Sequence, residues 1–201
     1  MKIICIGRNY SEHAKEMDSP LPSSPIFFLK PDTSILKTAT FYYPKFTKLL
    51  HYECELVIKI DKVGKNIQKK FAKSYYSEFT LGIDFTARDI QNECKKLGLP
   101  WEKAKGFDQS APLSNHWMKI KDYPESIDFT LKKNNTVVQS GESRNMIFSF
   151  DEIICYLSSF ITLKRGDLIF TGTPAGVGEV QIGDKLSAFI SEENVLNLNI
   201  K

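Results

Sequence analysis

Short β-type segments separated by turn residues constrain the fold of this chain more than any other feature. Runs rich in branched or aromatic residues occur at residues 3–6, 26–29, 53–60, 79–83, 128–132, 136–139, 167–171 and 185–190. Such residues favour strands, and glycine, proline or aspartate bounds many of the runs. The strands do not alternate regularly with helices, as a doubly wound or TIM-barrel fold requires. The pattern therefore predicts a mixed, β-rich α+β fold.

Two helices are predicted from their end signals. Thr86 and Asp89 have the spacing of a capping box, and Gly98 would end this helix after about residue 97. Ser149 and Glu152 have the same spacing before an apolar run, which predicts the start of a second helix.

Composition excludes several classes of function. A chain of 201 residues with 42% hydrophobic and 25% charged residues fits one soluble domain. A net charge of +3 without a long basic run gives nucleic-acid binding no support. No apolar stretch approaches the roughly 18 residues that a membrane span needs. Four isolated cysteines and no recognisable signal peptide predict a reduced, cytoplasmic protein.

Three carboxylates are the first candidates for a site. Glu53 and Glu55 are two residues apart on a predicted strand. Because successive side chains point to opposite faces, these two face the same way. Asp84 ends another predicted strand just before a helix, where loops often present functional groups. A divalent cation such as Mg²⁺ or Mn²⁺ would relieve the repulsion between such carboxylates. The alternatives are a solvated strand face for the glutamates and a helix cap for Asp84.

Arg88 and Gln91 are three residues apart on the first predicted helix and so share a face. An arginine and an amide beside carboxylates would suit an anionic, oxygen-rich ligand. A surface salt bridge is the alternative.

His13 and Glu16 have the same spacing within a helix predicted at residues 10–17. A carboxylate that orients an imidazole can make it a general base, although such pairs are also common on surfaces. Three prolines and three serines at residues 18–25 predict an exposed loop after this helix.

A glycine-dense segment, TGTPAGVG at residues 171–178, follows a predicted strand. It either binds an anion with its backbone N–H groups or forms a plain tight turn. The segment is not a P-loop, since the Gly-Lys-Ser/Thr ending is missing.

Taken in order, these segments resemble the fumarylacetoacetate hydrolase family, and most closely its small single-domain acylpyruvase and oxaloacetate decarboxylase-like members. The matching segments are GRNY at 7–10 with His13, FLKP at 28–31, HYECEL at 51–56, DFTARDIQ at 84–91, GLPW at 98–101, AKGFD at 104–108, MIFS at 146–149 and TGTPAGVG at 171–178. The resemblance implies one catalytic domain over residues 1–201, with a β-roll or barrel-like core, short peripheral helices and a homodimeric assembly.

The resemblance also implies roles for individual residues. Glu53, Glu55 and Asp84 correspond to the ligands of a Mg²⁺ or Mn²⁺ ion. The implied catalytic residues are Lys105 and the pair His13 and Glu16, and the implied substrate contacts are Arg88, Gln91 and Thr173. A lowered pKa would let Lys105 transfer a proton. Lys30 lies in a family motif without an assigned role.

The function expected from this resemblance is hydrolysis of a C–C bond in acylpyruvate-type 2-oxo acids through a metal-stabilised enolate. Oxaloacetate decarboxylation is expected as an additional activity of the same site. One alternative is an isomerase or decarboxylase of the 2-hydroxyhepta-2,4-diene-1,7-dioate type in aromatic catabolism. The other is a non-catalytic homologue that binds a metal or ligand.

Overall fold

Strands dominate the chain, and a computed structural model describes them over residues 1–16 and 20–201. The strands are β1 Ile3–Gly7, β2 Ile26–Lys30, β3 Ile35–Leu36, β4 Thr40–Phe41, β5 Leu50–Tyr52, β6 Cys54–Ile60, β7 Tyr76–Ile83, β8 Thr86–Ala87, β9 Ala111–Pro112, β10 Met118–Lys119, β11 Asp128–Lys133, β12 Thr136–Glu142, β13 Leu168–Phe170, β14 Gly178–Glu179, β15 Lys185–Ile190 and β16 Glu193–Ile200. The helices are α1 Ser11–Glu16, α2 Lys69–Ala72, α3 Arg88–Leu97, α4 Glu102–Lys105 and α5 Phe150–Phe160.

A six-stranded sheet with the order β10-β7-β6-β13-β1-β2 carries the middle of the molecule. β1 runs parallel to β13, whereas β6 is antiparallel to both of its neighbours. All of β6 except Lys59 is buried, because its side chains are covered on both faces of the sheet. The start of β6 therefore lies in the protein interior beside the end of β7, where Cys54 is opposite Ile83.

A five-stranded sheet with the order β12-β11-β15-β16-β4 shares one hydrophobic core with the first sheet. Ile58 and Phe79 contribute to this core from the six-stranded sheet, and Phe129, Leu186 and Leu198 from the five-stranded one. Two smaller sheets, β14-β5-β8 and β3-β9, complete the strand pairing of the described residues. The predicted mixed, β-rich class with short helices is confirmed, and the open strand orders agree with a roll.

The two capping boxes had different outcomes. The box at the start of α5 is confirmed, since Ser149 accepts a hydrogen bond from the Glu152 N–H and Glu152 accepts one from the Ser149 N–H. The box predicted for α3 is wrong: Thr86 lies in β8, and its hydroxyl donates to Glu53 Oε1 at 3.1 Å. Asp89 instead accepts hydrogen bonds from the Thr47 hydroxyl and from the N–H groups of Lys48 and Ile90. Long-range partners therefore replaced the local cap.

The helix predicted at residues 10–17 appears as α1, which ends at Glu16. Residue 17 and the first two residues of the predicted loop lie outside the described part of the chain. Residues 20–25 form neither helix nor strand, as predicted, and most of them are exposed. The left-handed Gly98, with a φ of 65°, ends α3 where the sequence predicted.

No helix within residues 1–16 and 20–201 is long and apolar enough to cross a membrane.

Candidate metal and substrate site

The three predicted carboxylates meet at one end of the β6–β7 pair. Glu53 precedes β6, Glu55 is its second residue, and Asp84 directly follows β7. The Asp84 N–H donates to the Glu53 carbonyl at 2.8 Å, which holds the two chain segments together. One carboxylate oxygen from each residue lies within 4.8 Å of the others, and all three residues are buried. A solvated strand face is therefore excluded for this acidic triad of Glu53, Glu55 and Asp84.

Buried cations surround two of the three carboxylates. Lys105 Nζ lies 2.8 Å from Glu53 Oε2 and 2.8 Å from Asp84 Oδ2. Arg88 Nη2 lies 2.5 Å from Glu53 Oε1. Lys30 Nζ forms an ion pair with Asp84 Oδ1 at 2.8 Å, although no hydrogen bond joins these two atoms. Glu55 has a different environment, because its recorded hydrogen bond comes from the Gly172 N–H at 2.8 Å.

The pKa values of the two glutamates are consequently shifted in opposite directions. Burial raises the pKa of Glu53, but the positive charges of Lys105 and Arg88 outweigh burial and hold that pKa below its usual value. Burial raises the pKa of Glu55 well above its usual value, and the negative charges of Asp84 and Glu53 raise it further. Glu55 thus has the least compensated negative charge of the triad.

Lys105 departs from the expectation of a lowered pKa. Burial alone would lower the pKa of Lys105, but the charges of Asp84 and Glu53 raise it above its ordinary value. An ammonium bonded to two carboxylates holds its proton firmly. In the protein without a metal ion, Lys105 is therefore a cation that bridges Glu53 and Asp84.

The donor set fits a hard divalent cation. Three buried carboxylates offer oxygen ligands, which Mg²⁺ and Mn²⁺ prefer. Asp84 Oδ1 has no hydrogen-bond partner among the described residues. A dication would also relieve the like-charge repulsion that raises the pKa of Glu55.

Lys30 has a position that its motif alone did not indicate. Its side chain is fully buried, and besides contacting Asp84 it donates to the carbonyl of Lys105 and to Ser110 Oγ, the latter at 2.9 Å. Lys30 is not among the residues that line the pocket, whereas Lys105 is. Lys30 therefore links Asp84 to the end of α4 from behind the site.

Arg88 and Gln91 lie on one face of α3, as their spacing predicted. Arg88 Nη1 donates to Gln91 Oε1 at 2.5 Å, and Arg88 Nε donates to His51 Nδ1 at 3.4 Å. Burial and the nearby charge of Arg88 lower the pKa of His51 to about 4, so its ring is neutral and can accept this bond. Arg88 and Gln91 are both buried, which excludes a surface salt bridge.

The glycine-dense segment binds anions, but the anions recorded in the structure are the protein's own carboxylates. Gly172 donates to Glu55, and the N–H of Gly176 donates to Glu16 at 3.1 Å. Gly172 has a φ of 99°, and a Cβ there would lie 2.7 Å from the Cβ of Asn9. Glycine is therefore required for this close approach.

Thr173 belongs to the glycine-dense segment and links it to β6. Its hydroxyl donates to the Cys54 carbonyl at 2.9 Å and accepts from Gln139 Nε2 at 2.8 Å. Gln139 Oε1 also accepts from the Cys54 N–H at 2.9 Å. Gln139 is 34 residues from Thr173 and 85 from Cys54, so no local sequence signal could have revealed it.

His13 and Glu16 lie at the edge of the site on α1. His13 Nδ1 is 3.2 Å from Glu16 Oε2, which matches the predicted pairing. His13 is buried and lines the pocket, whereas Glu16 is partly exposed and lies behind it. The hydrogen bond from Gly176 holds Glu16 in this position.

One pocket of about 40 Å³ brings the predicted residues together. It is lined by the whole triad and by His13, Arg88, Gln91, Lys105 and Thr173. Eight of the nine predicted site residues thus reach one cavity, and the ninth, Glu16, contacts it through His13.

The fold and the site define this class of protein: a β-rich chain whose buried acidic triad fits a divalent cation and whose pocket is lined by cations and an imidazole. Residues 2–200 match the family described as fumarylacetoacetate (FAA) hydrolase C-terminal. The chain belongs to the fumarylacetoacetate hydrolase family.

Relatives of the chain include named enzymes and proteins of solved structure. It is 42% identical over 201 residues to the mitochondrial oxaloacetate tautomerase FAHD1 of Bos taurus, covering 99% of this chain and 90% of the relative. It is 41% identical to the mitochondrial oxaloacetate decarboxylase of Dictyostelium discoideum, covering 94% and 88%. The crystal structure of fumarylpyruvate hydrolase from Pseudomonas aeruginosa, in complex with Mn²⁺ and pyruvate, matches with a TM-score of 0.93 and 35% identity, covering 100% and 89%.

Proposed function

We propose that this chain is a metal-dependent enzyme that hydrolyses a C–C bond in acylpyruvate-type 2-oxo acids. The observation that carries the proposal is the arrangement of the triad, Lys105 and His13 around one pocket. A divalent cation held by Glu53, Glu55 and Asp84 would polarise the 2-oxo group and stabilise negative charge that develops on its oxygen. Mg²⁺ and Mn²⁺ both suit these ligands.

Gln91 and Thr173 would bind the substrate through specific atoms. Arg88 holds the Gln91 side-chain oxygen, which leaves the amide N–H groups of Gln91 free to donate to a substrate carboxylate. The Thr173 hydroxyl already donates to Cys54, so the main-chain N–H of Thr173 is the better donor. Arg88 has further N–H groups and adds positive charge beside the same carboxylate.

Lys105 and His13 would divide the remaining chemistry. The ammonium of Lys105 donates hydrogen bonds and stabilises charge, in keeping with its raised pKa. Glu16 orients the imidazole of His13 through Nδ1, which leaves Nε2 to take a proton from water. The hydroxide attacks the distal acyl carbon, the bond to C3 breaks, and its electron pair forms the enolate of pyruvate. His13 then returns the proton to C3, which gives pyruvate and a carboxylic acid.

A second candidate is proton transfer or CO₂ loss in oxaloacetate. The similarity to an oxaloacetate tautomerase from Bos taurus and to an oxaloacetate decarboxylase from Dictyostelium discoideum favours this substrate. The same groups would serve, because His13 could move a proton at C3 and the cationic site would stabilise the enolate. Two further alternatives are isomerisation of a dienoic 2-oxo acid and ligand binding without turnover.

A substrate panel tests these proposals. The purified protein is assayed with acetylpyruvate, oxaloacetate and a 2-hydroxyhepta-2,4-diene-1,7-dioate, with Mg²⁺, with Mn²⁺ and with EDTA. Metal-dependent release of pyruvate and acetate from acetylpyruvate is the expected result. Turnover of oxaloacetate or the dienoate alone would favour the corresponding alternative, and binding without turnover would favour a non-catalytic homologue.

Assembly and domain extent remain predictions of the resemblance, and location remains a prediction from composition. We propose a single catalytic domain over residues 1–201, supported by the family match over residues 2–200. A homodimer and a cytoplasmic location are proposed from the sequence, whereas the relatives from Bos taurus and Dictyostelium discoideum are mitochondrial proteins. Light scattering and cell fractionation would test them.

A further inference from the structure

Gln139 is a buried residue on β12, the strand at one edge of the five-stranded sheet. Its side-chain amide contacts two segments of the site at once. Oε1 accepts from the Cys54 N–H at 2.9 Å, and Nε2 donates to the Thr173 hydroxyl at 2.8 Å and to the Pro174 carbonyl at 3.0 Å. Gln139 does not belong to the described residues that line the pocket. Its effect on the site must therefore pass through these partners.

The orientation of this amide follows from the chemistry of its partners. A main-chain N–H can only donate a hydrogen bond, and a main-chain carbonyl can only accept one. A flipped amide would place its NH₂ group against the Cys54 N–H and its oxygen against the Pro174 carbonyl, so neither bond could form. Because Nε2 donates to the Thr173 hydroxyl, that hydroxyl is left to donate to the Cys54 carbonyl at 2.9 Å. Gln139 thus determines the direction in which the Thr173 hydroxyl points.

Cys54 separates the predicted metal ligands Glu53 and Glu55 along the chain. Its N–H is held by Gln139 and its carbonyl by Thr173. Hydrogen bonds from Gln139 to Thr173, from Thr173 to Cys54 and from Cys54 back to Gln139 form a closed ring. This ring fixes the backbone from which both glutamates project. It also fixes the residue whose main-chain N–H donates to the substrate in the proposed mechanism.

The backbone of β12 is shaped for this contact. The pairing of β12 with β11 shifts register immediately before Gln139, which leaves Val138 as an extra residue. Such bulges redirect neighbouring side chains and are common beside active sites. The Val138 carbonyl also packs against Gly176 of the glycine-dense segment, where a Cβ would lie only 2.1 Å from the carbonyl oxygen. Glycine at this position therefore allows β12 and the segment to approach closely enough for the ring to form.

We infer that Gln139 is a positioning residue that couples the metal ligands to the substrate-binding segment. This inference rests on the proposed binding of a metal ion and a 2-oxo acid. Loss of the amide leaves the buried Cys54 N–H without its acceptor and lets the Thr173 hydroxyl turn. The spacing of Glu53 and Glu55 and the direction of the Thr173 main chain should then change together.

Gln139→Met tests this role, because methionine has nearly the same length and cannot form the three hydrogen bonds. Isothermal titration is done with Mn²⁺ on the metal-free protein and with oxalate on the Mn²⁺-saturated protein. Both affinities should fall about ten- to a hundredfold, the range typical of residues that orient metal ligands. The electron paramagnetic resonance spectrum of bound Mn²⁺ should also change, since it reports the arrangement of the ligands. Gln139→Asn is a milder second variant: its amide ends one methylene short of the ring, and smaller losses in both affinities are expected.

Two controls separate positioning from stability. Ser140→Ala changes the exposed neighbour of Gln139 on the same strand and should leave both affinities unchanged. Leu198→Ala removes core contacts of the same sheet without touching the ring, so it should lower the Tm and leave both affinities unchanged. If Leu198→Ala lost as much affinity as Gln139→Met, general destabilisation would explain both variants and the inference would be overturned.

Thr173→Val breaks the same ring at another point. If the ring acts as a unit, combining it with Gln139→Met should reduce Mn²⁺ affinity no further than the more damaging single variant does. Additive losses, or unchanged binding of Mn²⁺ and oxalate by Gln139→Met, would overturn the inference while leaving the proposed function intact. Failure of the unmodified protein to bind Mn²⁺ with oxalate would reject the proposed function, and the inference with it. Thermal unfolding of each variant shows that it has folded.

Discussion

The site has two regions that are built differently. The carboxylate floor, which consists of the acidic triad with Lys30 and Lys105, lies where β6 and β7 meet in the six-stranded sheet. The histidine rim, which consists of His13 and Glu16, belongs to a helix of six residues. Every member of the floor is buried, whereas Glu16 in the rim is partly exposed and depends on one hydrogen-bonding loop.

This difference indicates a division of labour. The floor is fixed by ion pairs and by the pairing of long strands, so it suits the constant task of holding a metal ion and the 2-oxo acid group. The rim is held by the hydrogen bonds that join His13, Glu16 and Gly176. In the proposed mechanism its imidazole would act on the part of the substrate at which hydrolysis, decarboxylation and isomerisation differ. Variants of the floor should therefore change binding, and variants of the rim should change turnover.

The largest effect is expected from Asp84→Asn in the floor. This change removes a predicted metal ligand and leaves Lys30 and Lys105 without their shared carboxylate. Since metal catalysis supplies several kcal/mol, kcat/KM should fall about 10³-fold or more. Mn²⁺ titration should show the matching loss of affinity. The exposed Asp122→Asn variant is the control and should behave like the unmodified protein.

His13→Ala tests the rim. Removal of a general base should lower kcat about 10²-fold or more. The dissociation constant for Mn²⁺ should stay the same, because His13 is not part of the triad. Unchanged turnover would remove the histidine from the mechanism, and weakened metal binding would show that rim and floor are not separate.

Lys30→Met tests whether a residue behind the floor supports it. Lys30 does not line the pocket but contacts Asp84 and the carbonyl of Lys105, so its loss should let both groups move. Residues that orient metal ligands typically contribute ten- to a hundredfold in affinity, and roughly that loss in Mn²⁺ binding is expected. Thermal unfolding with and without Mn²⁺ would separate this effect from general destabilisation. An unchanged Mn²⁺ affinity would contradict the account.

The smallest effect is expected for the Glu55→Gln variant, in the thermal stability of the metal-free protein. The raised pKa of Glu55 means that folding favours its protonated form. The metal-free protein should therefore lose stability as pH rises from about 4.3 through the raised pKa. The amide avoids this loss, so Tm at pH 7 should rise by a few degrees, and the stabilisation by Mn²⁺ should disappear.

Glu53→Gln is the matched comparison for this variant. The lowered pKa of Glu53 reflects its pairing with Lys105 and Arg88, so neutralising it should lower the Tm instead. A fall in Tm for both variants would show that the two glutamates do not differ as described. For the unmodified protein, Mn²⁺ affinity should rise with pH, because the metal must displace the proton of Glu55.

Local patterns predicted the parts of the site that depend on neighbouring residues. The spacing of two residues between Glu53 and Glu55 correctly predicted that their side chains lie on one face of a strand. The spacing of three residues between Arg88 and Gln91 did the same for α3. The ordered family motifs added Lys105, which no local pattern had singled out.

Contacts between distant segments could not be predicted in this way. Gly172 and Glu55 are 117 residues apart, yet their hydrogen bond fixes one ligand of the triad. The cap predicted for α3 was wrong because Thr86 bonds to Glu53, 33 residues away. The pKa of Lys105 was expected to be lowered, but it is raised. The cause is the charge of two carboxylates, Glu53 and Asp84, that the fold brings to Lys105 from distant parts of the chain.

A crystal structure with Mn²⁺ and oxalate tests the central claim most directly. Oxalate mimics the enolate of a 2-oxo acid, and the anomalous signal of manganese locates the ion. The account predicts one ion bound by carboxylate oxygens of Glu53, Glu55 and Asp84, with oxalate beside it and Gln91 donating to the oxalate. An ion bound elsewhere, or held without Glu55, would contradict it.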